Sequence, residues 1–268
     1  MAGYFSEKSV LRRVHREQVV ALSGPRALLM QAAHPLAFAG FFAASSTLED
    51  PYPRLERTAA VMNTVVFGDR EAADRVTARV RRIHSRTTGT LATAAGPFSA
   101  GTRWAADDPQ LLLWIIATLV DSALVVYQRY VHPLSAGERE EYWRDYRVVA
   151  CLFGLHEDQV PETIEDLDVY LAQMLAGDQL QVVPDARELA VQIVLRPPVP
   201  LAARPLLELA NFITVGLLPV QLRRQYGLRW DPVRGLVHRG GAEYARRLIL
   251  PLLPRRFRYN LDPAMASR

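Results

Sequence analysis

Six histidines are the residues in this chain best suited to hold a metal or move a proton: His15, His34, His84, His132, His156 and His238. No two of them stand at the HxH, HxxxH or HExxH spacing that gathers ligands on one strand or helix face for zinc or a di-iron pair. His84 is set apart by its position. It lies near the end of a helical segment, Arg70 to Thr87, where Ala73, Val76, Val80 and Thr87 share its face at three- and four-residue steps. Arg75, Arg79, Arg82 and Arg86 lie mostly away from that face. An imidazole turned toward a core must find a partner, because an unsatisfied buried polar group costs about 1–3 kcal/mol. A backbone carbonyl is the simpler partner, and a metal or haem iron would satisfy the same nitrogen.

Two further sets could take part. His34 ends an apolar helix just before Pro35, which ends or bends that helix and frees backbone carbonyls. It reads as a packed helix-end histidine or as a residue of a distal pocket. Arg54 and Thr58 are four apart and share a helical face, with Arg57 beside it. Arginine offers fixed donors that do not titrate and threonine a short hydroxyl, a pair able to orient a bound oxygen or a haem propionate. A solvated arginine and a helix-facing threonine are the simpler reading. No GxSxG, Walker A or Rossmann fingerprint occurs, and Asp107-Asp108 and Glu140-Glu141 read as caps or solvated faces.

The elements that must position these groups are helices. Apolar residues recur at three and four, and strand-like alternation is hard to find. Helix starts are predicted at Asp50-Pro51, Asp69 and Asp108-Pro109, and Ser135 with Glu138 forms a capping box. The expected helices run to about Phe67, Thr87 and Phe153, with shorter ones over Asp166–Leu175 and Pro184–Leu195. Leu91 to Arg103 reads as the clearest loop, and Arg196 to Pro200 as a rigid connection. Helices then resume to about Leu253. No linker or repeat divides the 268 residues, so one domain over 1–268 is expected.

Composition limits the rest. Half the residues are hydrophobic and 22% charged, an ordinary globular balance that predicts a soluble protein. A net charge of +4, with arginines scattered in pairs and no basic face interleaved with aromatics, excludes a nucleic-acid reader. Cys151 is alone, which removes an intrachain disulfide and fits a reducing compartment; with no signal-peptide pattern, a cytoplasmic location is expected. Leu111–Tyr127 is slightly short for a bilayer and is interrupted by Asp121, so it is predicted to be the central buried helix rather than a transmembrane segment. The apolar stretch Leu206–Leu222 is expected to pack in the core, with peripheral membrane contact as the alternative. Oligomeric state is left open.

The ordered segments QAAHPLAFAG, DPYPRLERTAAVMNTVVFGD, VRRIHSRTTG and WAADDPQLLLWIIATLVDSALVVY resemble the rubber-oxygenase/MpaB-type domain family, which includes the latex-clearing proteins. The resemblance covers roughly residues 10 to 180. It implies an all-α fold, a single helical domain with globin-like packing around a pocket for one haem b. It also implies cleavage of isoprenoid double bonds with O2 in the better understood members. The family's proximal iron ligand is a histidine in the helix after an Arg-x-x-x-Thr turn; His84 matches that ligand, and Arg54 and Thr58 match the turn. Arg57 stands where rubber oxygenases carry a lysine as a candidate distal ligand, and a guanidinium is a poor iron ligand. Where many relatives read W-x-H-A-T-L, this chain has Ile116, which cannot coordinate. The implied activity is a haem-dependent oxygenase acting with O2 on a hydrophobic small molecule, isoprenoid-like compounds included. Its catalytic residues would be Arg54 and Thr58, with His84, Arg54, Arg57 and His34 around the haem. The alternative is a haem-binding sensor or ligand carrier without turnover.

Overall fold

The computed structural model describes residues 2–43 and 51–260. Helices α1 (Val10–His15), α2 (Ser23–Ala32), α3 (Pro35–Ala43), α4 (Tyr52–Phe67) and α5 (Arg70–His84) lead to a two-stranded antiparallel hairpin, β1 (Thr88–Thr90) with β2 (Arg103–Ala105). Then follow α6 (Pro109–Tyr130), α7 (Ala136–Leu152), α8 (Ile164–Ala176), α9 (Pro184–Leu195), α10 (Arg204–Leu217), α11 (Val220–Gln225) and α12 (Pro232–Tyr244), the last continuing through a π-helical turn. The fold is all-α, with the hairpin as the only sheet among the described residues.

The predicted starts form for the predicted reasons. Asp69 accepts from the Ala72 amide at 2.8 Å, and Asp108 from those of Gln110 and Leu111 with Pro109 in the first turn. Ser135 and Glu138 exchange both bonds of the capping box, and Thr163 with Asp166 forms another that was not expected. Asp50 lies outside the described residues. Helix α5 stops at His84 rather than Thr87, because the chain turns there to enter β1. The expected loop at Leu91–Arg103 links two strands too short to show alternation.

Helix α6 runs through the middle, packed by α2, α7 and α12. By length and composition it could cross a membrane, with a mean hydropathy of 1.9, but 67% of that window is buried inside the protein. Asp121, the charge that interrupts it, pairs with the buried Arg26 of α2 at 2.7 Å. The same guanidinium donates to Ser122 Oγ at 2.7 Å and, through Nε, to the Leu217 carbonyl at 2.8 Å. One arginine thus joins α2, α6 and α10. Trp114, Tyr142, Trp143 and Tyr146 fill the core around α6 and α7.

The apolar stretch Leu206–Leu222 departs from expectation. Thr214, Leu218 and Leu222 are buried, but Leu206 and Leu209 are 70% and 55% exposed. Only one side of this stretch meets the core. The last described residues are tied back by Arg258, which grips the buried Glu17 through Nε at 3.1 Å and a second nitrogen at 3.2 Å.

Candidate active site between two unpartnered histidines

His84 ends α5 because the turn after it is fixed locally. The Thr87 amide donates to the His84 carbonyl at 2.9 Å and the Thr87 hydroxyl to the Ile83 carbonyl at 2.8 Å. The ring is half-buried, and its Nδ1 is buried with no hydrogen-bond partner among the described residues. Burial, then the positive charge of Arg54, lowers its pKa, and Asp107 opposes them weakly. The ring is therefore neutral at pH 7, the form that offers a lone pair to a metal.

Arg54 sits in the first turn of α4 with its guanidinium 4.1 Å from the centroid of the Phe41 ring, and it donates to the Phe41 carbonyl. Desolvation and the neighbouring Arg57 act against its charge. The Thr58 hydroxyl donates to the Arg54 carbonyl at 3.0 Å, so the matched Arg-x-x-x-Thr segment is helical rather than a turn. Arg57 and Thr58 are both exposed. Of Arg54, Arg57 and Thr58, Arg54 alone comes within electrostatic reach of His84.

His34 occupies the break between α2 and α3. Its amide donates to the Gln31 carbonyl at 3.1 Å and its own carbonyl accepts from Phe38 at 2.9 Å, while Pro35 restarts the helix. The ring is 4% exposed, lies 5.4 Å from the Phe98 ring, and leaves Nδ1 buried and unpartnered. Burial pushes its pKa down to about 4 against the pull of Asp108. Asp107 acts on one histidine and Asp108 on the other, which places both near the start of α6.

The hairpin supplies an apolar wall that sequence reasoning missed. Leu36, Leu91, Ala95, Trp104 and Leu111 form a buried cluster, with Phe98 packed against it. A methyl group on Gly89 would fall 2.5 Å from the Trp104 ring, and one on Gly40 3.5 Å from it, so glycine at 89 is required for the indole to lie flat on the strand. The Trp104 Nε1 is a third buried, unpartnered ring nitrogen here. The one available signal was a glycine between threonines ahead of a lone tryptophan. A cavity of about 510 Å³ opens at the hairpin tip, lined in part by Gly96, Gln181 and Arg187, and neither histidine lines it.

Among the described residues no group of three or more His, Cys, Asp or Glu side chains could hold a bare metal ion. What the site offers is single imidazoles: His34, buried against the Phe98 ring, and His84, half-buried within electrostatic reach of Arg54 and Asp107. That is the donor set a metal needs when its other ligands come from a macrocycle.

The family described as ER-bound oxygenase mpaB/B'/rubber oxygenase, catalytic domain, matches residues 12–247. The chain belongs to this family of oxygenases. The match extends well past residue 180, so α9 to α12 are part of the domain. No curated protein and no solved structure matched. Oxygenase chemistry takes O2 and an organic small-molecule substrate, and the family places this chain among such enzymes.

Proposed function

We propose that the chain is a haem b oxygenase acting on a hydrophobic small molecule, in which His84 would hold the iron. The observation that carries this reading is the His84 ring: neutral, at a fixed helix end, with its Nδ1 short of a hydrogen-bond partner near the half-buried Arg54. Haem, when bound, supplies O2 activation. The protein's own groups bind, orient and exclude water. Arg54, kept in place by Phe41, supplies a permanent positive charge near His84, suited to a propionate.

His34 is the second polar group of the site. Held neutral to about pH 4, it offers a hydrogen-bonding nitrogen in a setting with little competing water. Trp104, Phe98 and Leu36 give the apolar surface on which a hydrophobic substrate would lie and from which water is excluded. A cytoplasmic location belongs to this proposal too.

The test is spectroscopic. Protein expressed with a haem precursor should show a Soret band and about one haem per chain by pyridine haemochrome, and His84→Ala should lose most of both with its circular dichroism unchanged. An undiminished band in that variant would remove His84 from the iron. Haem binding without O2 consumption on reduction, over a panel of terpenoid and fatty substrates, would favour a carrier or sensor over an oxygenase.

A further inference from the structure

A second pocket lies at the other end of α6 from the features above. It is a cavity of about 370 Å³ where the end of α6 meets α10 and α12, and its lining includes Arg129, Gly216, Arg223, Trp230, His238 and Arg239. The lining holds three guanidinium groups and no carboxylate.

The arginines differ in how they are held. Arg223 is fixed: its guanidinium sits 5.0 Å from the Trp230 ring centroid and donates to the Val215 carbonyl at 3.2 Å. Arg129 and Arg239 make no hydrogen bond or ion pair among the described residues, and the Nε of Arg129 is buried without a partner. Leaving the Arg129 Nε unpaired away from water is costly, and an anion would relieve it; Arg239 is exposed and free to reach the same anion. The nearby carboxylates are engaged elsewhere. Asp231 caps α12 and pairs with Arg234, and Glu243 pairs with Arg246 and Arg247.

His238 forms the floor. It is 7% exposed, its Nε2 is 3.2 Å from the Tyr130 hydroxyl, and Phe212 and Trp230 flank it edge-on. The charges acting on it are those of Arg129, Arg223 and Arg239, all of which oppose its protonation. A methyl group on Gly216 would fall 2.6 Å from this ring and 2.7 Å from Trp230, so the glycine keeps the two rings packed at the floor.

We infer that this pocket binds a phosphate group, held by Arg129, Arg223 and Arg239. Guanidiniums arriving from three helices suit a tetrahedral dianion, which can accept from several directions; a carboxylate fills one fork. The exposed Val233, Leu236 and Val237 of α12 lie beside it, so the phosphate could be free or carried on the headgroup of an amphiphile.

The experiment uses the full-length chain and two probes at constant ionic strength. Inorganic phosphate is titrated by calorimetry, and vesicles of phosphatidylcholine with and without phosphatidate are tested by co-flotation. The wild type is compared with Arg129→Gln/Arg239→Gln, and with Arg79→Gln as a control for loss of surface charge. Losing two charge-assisted contacts should weaken binding by about tenfold or more. Saturable phosphate binding weakened in the double variant and unchanged in the control supports a free anion. Binding only to phosphatidate vesicles, again weakened only in the double variant, supports a headgroup. Binding to neither probe, or binding that the double variant leaves intact, overturns the proposal. Thermal melting provides a separate check. The two arginines have no partners here, so the double variant should melt no lower than wild type, and a fall of several degrees would show that they hold the fold instead.

Discussion

The helices up to Leu195 and the segment from Leu201 to Arg258 are equally apolar by pattern and are packed quite differently. Of the largest fully buried side chains, Trp114, Trp143, Tyr142, Tyr146 and Leu29 belong to the first region, whereas Leu222 stands alone from the second. Exposed large hydrophobics run the other way. Among the described residues twelve fall after residue 200, Leu252 at 80% among them, and three before it: Ile83, Val148 and Val169. The first region contains the two histidines of the proposed iron site and builds rigidity around them. The second region attaches through polar clamps and a few core residues, Leu218, Leu222 and Tyr226 among them, and leaves an apolar face open. Rigid positioning is what an active site needs, so stability is concentrated where the chemistry is proposed.

The clamp between the regions should give the largest effect. Arg26→Ala leaves Asp121 half-buried without its partner and strips a donor from Ser122 and another from the Leu217 carbonyl. Breaking a buried pair from one side costs about 3–5 kcal/mol. Urea unfolding should show that loss, and a loss below 1 kcal/mol would mean the two regions are joined by other contacts. Trp143→Ala tests the first region alone. The indole is fully buried and donates to the Pro161 carbonyl at 3.1 Å, so about 3–5 kcal/mol is expected for the cavity and the lost bond.

Next comes pH, because each region buries a neutral histidine. His34 and His238 are both pushed to about 4 from an ordinary 6.5. The unfolded chain takes up a proton near pH 6.5 that the folded ring refuses until about pH 4. Stability therefore falls as pH drops through that window and levels off below it. Each group accounts for on the order of 3 kcal/mol across the window. His34→Phe should flatten the decline in the first region and His238→Phe in the second. A midpoint that does not move between pH 7 and about pH 4.5 would contradict both burials.

What was legible in the sequence was local. Asp69, Asp108 and Ser135 announced their helices because a cap is a contact between residues two or three apart. Helical periodicity assigned His84 a face, and on that face the ring is half-buried with its Nδ1 unpartnered; its role was given by resemblance alone. Arg26 gave no sign of its role, since Asp121 and Leu217 are distant in the chain and one arginine among many carries no pattern. Trp104 was hidden for a related reason: its place depends on a hairpin whose strands have three residues each, too few to alternate. The Arg129–Arg223–Arg239 pocket is assembled from three helices and has no local signature at all.

The open face of the second region should give the smallest effect, and that is its use as a test. Helical periodicity in α10 and α12 reports that one side is apolar; it cannot report whether anything covers it. Leu206, Leu236 and Leu252 are 70%, 65% and 80% exposed, so little of their surface leaves water on folding. Leu206→Ser, Leu236→Ser and Leu252→Ser should each change the unfolding free energy by no more than about 0.5 kcal/mol. Their effect should appear instead in association, because a broad exposed apolar surface promotes contact with other molecules. Dilution series by analytical ultracentrifugation should show the triple variant shifted toward the monomer or unchanged, with its melting midpoint intact. A drop of several kcal/mol in these variants would mean the face is covered in solution, and the contrast between the two regions would then be one of partner rather than of packing.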